Sequence, residues 1–170
     1  MIFRAGSKVV HSLHGLGVVE SIEEKDILGK LSRFSVISFQ EGRLKIMVNV
    51  DQGNNMIRPL IDADEVGTVM DHLRQEHNDL PTKTTERYQV NLNKIKSGDI
   101  YALAAVVKNL IAVSYDKKLS PKEQQMLKQS RRILAQELAY VTGCDDDEME
   151  QIVDHTCRVG KRELVGHKLN

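Results

Sequence analysis

The chain opens with the segment FRAGSKVVHSLHGLGVVESIEEKDILG, residues 3–29, which decides the fold of its N-terminal part. Its short β-rich runs are interrupted by Gly6, Gly15 and Gly17. Glycine within such a run indicates a bulge or a sharp bend of the strand. The segment therefore predicts the first strands of a small, strongly bent sheet.

The β pattern continues to about residue 60. Residues 34–39 are β-rich and residues 40–42 read as a turn; after it, one set of side chains alternates strictly with another, Leu44, Ile46, Val48 and Val50 against Lys45, Met47 and Asn49. Strict alternation predicts that the first set is buried and the second faces outward. Met47 is the apolar member of the outward set, which suits a contact surface. Cover by a neighbouring loop is the alternative explanation.

From residue 62 the pattern changes to helices. Asp62 and Glu65 have the spacing of a capping box, which would open a first helix. Four more helices are predicted, at about 85–96, at 100–114, from 121 to a stop at Gly143, and from 145 onward. The strongest start signal is Ser120-Pro121-x-Glu123, with an N-cap serine, proline at the first helical position and glutamate at the third. The polar residues from Arg158 onward predict a flexible basic tail.

The charge of the chain is unevenly distributed, although the net charge is zero. Residues 83–132 carry eleven Lys and Arg against four acidic residues, and residues 133–156 carry seven acidic residues and no Lys or Arg. A basic segment of this kind favours phosphates. Ordinary solvated helix faces would explain the same composition, and the residues alone leave both explanations open.

No enzyme, metal or cofactor site is predicted. His11 and His14 lack a third ligand, and Gly15-x-Gly17 lacks the third glycine of a dinucleotide loop. The acidic run 145–147 lacks the alternating ligands of a calcium loop and suits a helix start. Cys144 and Cys157 have no metal-type spacing.

Without a run of about 18 apolar residues or a signal peptide, the expectation is a cytoplasmic protein of one or two small domains.

The residue order of segment 3–29 resembles the start of the bacterial CarD/CdnL transcription regulators, whose N-terminal module is shared with transcription-repair coupling factor. The second half is similar to the same family in order and spacing. The matching stretches are Arg87-Tyr88, Asn91, Lys94, residues 96–100 (Lys-Ser-Gly-Asp-Ile), residues 104–110, Leu119-Ser120, Glu123, Met126-Leu127, Arg131, Ile133-Leu134 and Glu137-Leu138. Together they cover roughly residues 1–155.

This resemblance implies an α+β architecture. A small Tudor-like bent sheet or barrel over residues 1–60 would interact with RNA polymerase. A compact all-α domain of about five helices over residues 61–157 would bind DNA, and residues 158–170 would form the basic tail. The expected protein is a non-enzymatic transcription factor in the cytoplasm, associated with the nucleoid through RNA polymerase. A monomer is expected, and a strand-swapped dimer is the alternative.

The family function implies that the chain binds the β subunit of RNA polymerase and promoter DNA upstream of the −10 element, stabilising the open complex. By position, four residues would face the polymerase: Lys25, Lys45, Met47 and Val48. Many family members place a wedging tryptophan where this chain has Thr84, and the chain has no tryptophan. The expected DNA-binding residues are Thr84, Arg87, Lys94, Lys128, Arg131 and Arg132, with contacts mainly to the phosphate backbone and the minor groove. The alternative is a polymerase-bound adaptor whose helical domain binds another protein.

Overall fold

The computed structural model describes residues 3–39, 42–53, 56–76 and 80–168, with side chains described to residue 160. Five strands come first: β1 (Lys8–His11), β2 (Gly15–Ile27), β3 (Lys30–Phe39), β4 (Leu44–Asn49) and β5 (Ile57–Pro59). They form one antiparallel sheet in the order β4-β3-β2-β1-β5, so β4 and β5 are its edges. The predicted β module followed by a helical part, and with it the α+β class, is confirmed.

The glycines of the opening segment produce the bend. Gly15 has a left-handed backbone, with φ of 78°. A Cβ atom on Gly17 would lie 2.5 Å from the ring of Phe39, so only glycine lets β2 and β3 approach this closely. The pairing of β2 with β3 then shifts register between Val19 and Ser21, as at a β-bulge.

One face of the sheet packs around a small core of Val9, Val19, Ile37, Phe39 and Ile57. Ile46 and Val48 pack against this core from β4, as their alternation predicts. Leu44 was predicted to face inward as well, but 37% of its surface is exposed. It is the first residue of an edge strand, next to the turn, where the core no longer covers the sheet.

The helical part begins with a short 3₁₀ turn (Ala63–Glu65). The five helices are α1 (Val66–Arg74), α2 (Thr84–Lys96), α3 (Ile100–Asp116), α4 (Pro121–Thr142) and α5 (Asp146–Lys168). The starts of α2 to α5 lie within one residue of the predicted ones, whereas the predicted capping box at Asp62 opens the 3₁₀ turn and α1 follows it. Ser120 caps α4 together with Glu123, and Gly143 ends it with a left-handed φ of 72°. Eleven of the seventeen residues of α3 are buried, among them every residue from 103 to 112, so this helix is the centre of the domain.

The predicted flexible tail from residue 158 is wrong for the described residues, since α5 continues without a break to Lys168. Gly160 is buried against α1, and a Cβ atom there would collide with the backbone carbonyl of Arg74. The missing side chain lets the two helices approach closely, so the domain extends past the predicted boundary at 157. No described helix is long and apolar enough to cross a membrane.

The two halves of the molecule share a hydrophobic core. Val10 of β1 belongs to the cluster built by the helices, and Leu13 and Leu16 pack against it. Gly15 approaches α4 so closely that a Cβ atom would lie 2.7 Å from the side-chain oxygen of Gln136. The β module therefore lies directly on the helical domain.

Candidate functional site

The predicted docking residues Lys25 and Met47 lie next to each other on the outer side of the sheet. The Lys25 ammonium is 3.3 Å from the Met47 sulfur and 3.6 Å from a carboxylate oxygen of Glu23. Met47 is 40% exposed and lies opposite Val36 of β3. The structure thus joins residues that are 22 positions apart into one patch with an apolar centre and a charged rim.

Lys45 lies on the same side of β4 as Met47, two residues before it. Its ammonium is 2.8 Å from a carboxylate oxygen of Glu20, and both side chains are exposed. The hydrogen bond from Lys45 holds the pKa of the Glu20 carboxyl below its ordinary value. We call Lys25, Lys45 and Met47 the outer β4 patch.

Val48 does not belong to this patch, in contrast to the prediction. Its side chain points to the opposite side of β4 and packs against the sheet core. Because β4 pairs only with β3, its other edge has no partner strand within the described residues. The backbone N–H of Val50 donates to the carbonyl of Arg33, directly opposite it, so Val48, two residues before, also directs its backbone groups toward β3. The backbone groups of Lys45, Met47 and Asn49 face the open edge, where a partner could add a strand.

Sequence reasoning missed Phe34 as a neighbour of the patch. Phe34 is half-buried on β3 and lies directly opposite Glu23, which shares its side of β2 with Lys25. The alternation of β3 can place Phe34 on the outer side of the sheet. Its position beside Glu23 depends on the register between β2 and β3, which the sequence does not show.

The predicted DNA contact Arg87 lies inside the helical domain. Its side chain is only 2% exposed, and its Nε donates to the carboxylate of Glu123 at 2.6 Å. A terminal nitrogen also donates to the backbone carbonyls of Pro81 and Thr82, at 3.2 and 3.1 Å. This burial contradicts the phosphate contact predicted for Arg87. The sequence does not reveal the pair, because Glu123 lies 36 residues away along the chain.

Glu123 connects this pair to the start of α4. Its carboxylate also accepts from the backbone and the hydroxyl of Ser120, both at 3.0 Å. Burial acts to raise the pKa of Glu123, but the hydrogen bonds from Arg87 and Ser120 hold the pKa below its ordinary value. The ionised pair fixes the loop before α2, and thereby the position of Thr84, which is exposed at the first residue of α2.

Two other predicted DNA contacts are partly withdrawn from solvent. Arg131 faces α5, where its guanidinium is 3.1 Å from Asp154 and 3.5 Å from Glu150. Lys94 is half-buried on α2. The structure does not bring these two side chains into one open basic patch with Arg87.

Lys128 and Arg132 are the predicted DNA contacts that the structure leaves exposed on α4. They are four residues apart, so they lie one above the other on the same face of the helix. In the part of the chain that the structure describes, neither of them forms an ion pair. We call these two residues the α4 cation pair.

The exposed side of α2, in contrast, carries little positive charge. Its exposed residues are Thr84, Thr85, Glu86, Gln89, Val90, Asn93 and Lys96, so one acid and one lysine balance each other. Gln89 donates to the side chain of Asn93 at 3.0 Å. A surface of hydroxyls, amides, an exposed valine and one residue of each charge is suited to hydrogen bonding more than to electrostatic attraction of phosphates.

An ion pair between Arg58 and Glu137 connects the β module to the helical domain. The guanidinium binds both carboxylate oxygens of Glu137, at 2.6 and 2.7 Å, and its Nε donates to the carbonyl of Gly98 at 2.7 Å. The backbone N–H of Ile61 also donates to Glu137, whose side chain has no exposed surface. Sequence reasoning missed this pair, because its members are 79 residues apart.

The structure gives the histidine pair a packing role. The rings of His11 and His14 are 4.6 Å apart between centroids, and both lie near Phe39. Burial, together with the neighbouring His14, lowers the pKa of His11 to about 4. The neutral ring accepts a hydrogen bond at Nδ1 from the backbone N–H of Leu13. Within the described residues no group of three or more His, Cys, Asp or Glu side chains could hold a metal.

Comparisons with known proteins match both halves of the chain. Residues 3–61 match the CarD-like/TRCF RID domain, and residues 68–154 match the CarD C-terminal domain. A Bacillus subtilis (strain 168) protein named "Putative transcription factor YdeB" is 28% identical over 150 residues. That alignment covers 88% of this chain and 98% of the relative.

Proposed function

Since this chain belongs to the CarD family of transcription factors, we propose that it binds the β subunit of RNA polymerase and promoter DNA upstream of the −10 element. The outer β4 patch would dock on the polymerase. The α4 cation pair would contact phosphates of the promoter backbone. Together these contacts would stabilise the open complex.

The observation that carries the proposal is the outer β4 patch itself. An exposed methionine is flanked by two lysines, and β4 has no partner strand on its outer edge in the described parts of the chain. Such an arrangement supports strand addition by the partner, with Met47 as the apolar anchor and the lysines as the charged rim. The outward-facing backbone groups of Met47 would take part in the strand addition, in place of those of Val48.

The DNA role in the proposal is restricted to positioning. Lys128 and Arg132 can neutralise phosphates, which raises affinity without reading sequence. Thr84 has no ring to stack on an unpaired base, so a wedge at the edge of melted DNA is not part of the proposal. Stabilisation then follows from differential binding, since only contacts that are stronger in the melted complex shift the equilibrium. A difference of about 1.4 kcal/mol would raise the occupancy of a minor open complex roughly tenfold.

The docking half is tested by binding of the full chain to a purified fragment of the polymerase β subunit. Met47→Asp and Lys25→Glu should each weaken the complex at least about tenfold, because one removes the apolar anchor and the other reverses a rim charge. Leu44→Asp is the matched control, since it changes an exposed leucine at the start of the same strand and should leave binding intact. Unchanged affinity of both patch variants would refute the residue assignment.

The DNA half is tested by titrating promoter binding of the full chain against salt. Reversing both charges of the α4 cation pair (Lys128→Glu with Arg132→Glu) should flatten the dependence of log K on log salt by about 1 unit per lost phosphate contact. A variant with Lys30→Glu and Arg43→Glu makes the same charge change on the β module and should keep the slope. Open-complex lifetime on several promoters, with and without the protein, then tests the whole proposal.

An adaptor role is the second candidate, and the exposed side of α2 favours it. That surface, with Val90 among amide side chains, resembles a protein-binding face more than a phosphate-binding one. A flat salt slope for the unmodified chain, combined with intact binding to the polymerase fragment, would select the adaptor over the DNA-binding factor.

A further inference from the structure

We propose that the tip of the β2–β3 hairpin, residues 27–31, is a second apolar contact to the RNA polymerase β subunit, with Leu28 seated in an apolar recess of that partner. The inference rests on the proposed docking function and extends it. It assigns a role to a part of the β module that lies beyond the outer β4 patch.

The hairpin ends in a rigid two-residue turn. Ile27 pairs with Lys30, so Leu28 and Gly29 alone connect the strands, and both have positive φ, 54° and 78°. This is the backbone of a type I′ turn, which matches the twist of the two strands. A carboxylate oxygen of Asp26 accepts from the backbone N–H of Gly29 at 2.8 Å and holds the turn.

Leucine is an unfavourable residue for the first position of this turn. Leu28 is the non-glycine residue with positive φ in the described parts of the chain, and asparagine, aspartate or glycine would adopt that backbone with less strain. Its side chain is fully exposed, so it gains no burial within its own chain. Strain and exposure together indicate that Leu28 serves a contact outside the chain.

Two further exposed aliphatic residues lie next to the turn, one on each side of the hairpin. Ile27 is 49% exposed and Leu31 is 65% exposed. Ile27 lies on the side of Lys25, whereas Leu31, directly opposite Asp26, lies on the other side. Single exposed aliphatic residues are ordinary on protein surfaces, but Leu28 at the end of the turn with Ile27 beside it gives the tip an apolar surface on the side of Lys25.

Continuity with the outer β4 patch identifies the partner. Ile27 is two residues after Lys25 on β2, so both side chains lie on the same side of the strand. Lys25 in turn contacts Met47. A partner bound at the outer β4 patch would therefore reach the hairpin tip along one continuous surface. The exposed Lys30, directly opposite Ile27, extends the basic rim.

The substitution Leu28→Asn tests the role of Leu28 in binding without destabilising the hairpin. Asn-Gly is the preferred sequence for a type I′ turn, so the variant should unfold at the same or a higher urea concentration than the unmodified chain. Its affinity for the purified β-subunit fragment should fall about tenfold, because the apolar anchor is lost. Leu44→Asn is the matched control: it changes another exposed leucine on the side of the sheet facing away from the patch, and should keep full affinity.

Three other outcomes are informative. Equal affinity of Leu28→Asn and the unmodified chain would overturn this inference while leaving the docking proposal intact. Failure of the unmodified chain to bind the fragment would overturn both. If sedimentation across a concentration series shows a dimer that Leu28→Asn dissociates, with unchanged affinity for the fragment, the tip is a self-association surface and the inference is wrong.

Discussion

The guanidinium of Arg87 makes its contacts inside the molecule, to Glu123 and to two backbone carbonyls. A buried charge of this kind is held by its partner, and removing one member leaves the other uncompensated in a dry environment. If a substitution of Arg87 lowers transcriptional activity, the cause would thus be a displacement of α2 relative to α4. A lost phosphate contact would not explain it, since the side chain is buried. The sequence pattern, in contrast, predicts Arg87 as an exposed residue that contacts a phosphate.

His11 should make the stability of the chain depend on pH. Its pKa is about 4 in the folded protein against 6.5 in the unfolded chain, so the unfolded chain binds more protons between these values. The stabilisation is complete above pH 6.5 and is lost as pH falls toward 4. Urea unfolding should show a loss of about 2 kcal/mol from this residue between pH 7.5 and pH 5.0.

The variant His11→Asn isolates this effect, because it removes the titrating ring and keeps a side-chain oxygen as an acceptor for the Leu13 N–H. The variant should lose less stability than the unmodified chain over the same pH interval. His72 also has a lowered pKa, from burial and from the nearby Lys108, so part of the dependence should remain. Equal losses in both proteins would contradict the assignment to His11.

At the scale of elements, the contact between α1 and α5 should depend on the missing side chain of Gly160. Gly160→Ala would push a methyl group into the backbone carbonyl of Arg74. Overpacking of this kind destabilises by about 1–3 kcal/mol, although alanine is the better helix former. Thermal or urea unfolding of the full chain measures the change.

Gly67→Ala is the control for this prediction. Gly67 lies in α1, and no heavy atom is within 4 Å of the place where its Cβ would be. Without a clash, only helix propensity acts, and the substitution should stabilise the chain by about 0.5–1 kcal/mol. If both variants stabilise, Gly160 is not packed against α1.

The elements that could be predicted from sequence are those with local signals. Ser120, Pro121 and Glu123 locate the start of α4, and Gly143 its end, because caps act within a few residues. The alternation of β4 correctly places Met47 outside and Val48 inside, yet Val48 was still assigned to the docking surface on resemblance. The continuation of α5 past residue 157 has no local signal, because it depends on a contact with α1.

At the scale of the whole molecule, the features missed from sequence are pairs that are distant along the chain. Arg58 with Glu137 and Arg87 with Glu123 look like ordinary surface charges until the fold brings them together. The same holds for the outer β4 patch, which needs the register of β2, β3 and β4 to join Lys25 to Met47. Sequence could therefore supply candidate residues, while the grouping of those residues is a property of the three-dimensional structure.

The ion pair between Arg58 and Glu137 should fix the orientation of the β module on the helical domain. Arg58→Ala would leave the Glu137 carboxylate buried without a counter-charge, with an expected loss of about 3–5 kcal/mol in unfolding free energy. Glu137→Gln keeps the shape of the side chain and removes only its charge, so the fold should persist with a looser junction. Residual dipolar couplings of the full chain measure the orientation. We expect one alignment tensor for both halves of the unmodified protein and two different tensors for Glu137→Gln.

Arg33→Ala is the control for this junction, because Arg33 forms a similarly short ion pair with Asp51 at 2.9 Å, but both side chains are exposed and lie within the β module. Exposed pairs contribute at most about 1 kcal/mol, so this variant should stay close to the unmodified chain and keep a single tensor. Two results together would contradict this role of the ion pair: Arg58→Ala loses no more unfolding free energy than Arg33→Ala, and Glu137→Gln keeps a single tensor. Apolar packing of Val10, Leu13 and Leu16 would then orient the two halves without the ion pair. A measured second tensor in Glu137→Gln would instead mean that the buried charge pair sets the orientation of the two halves, and with it the position of the outer β4 patch relative to the α4 cation pair.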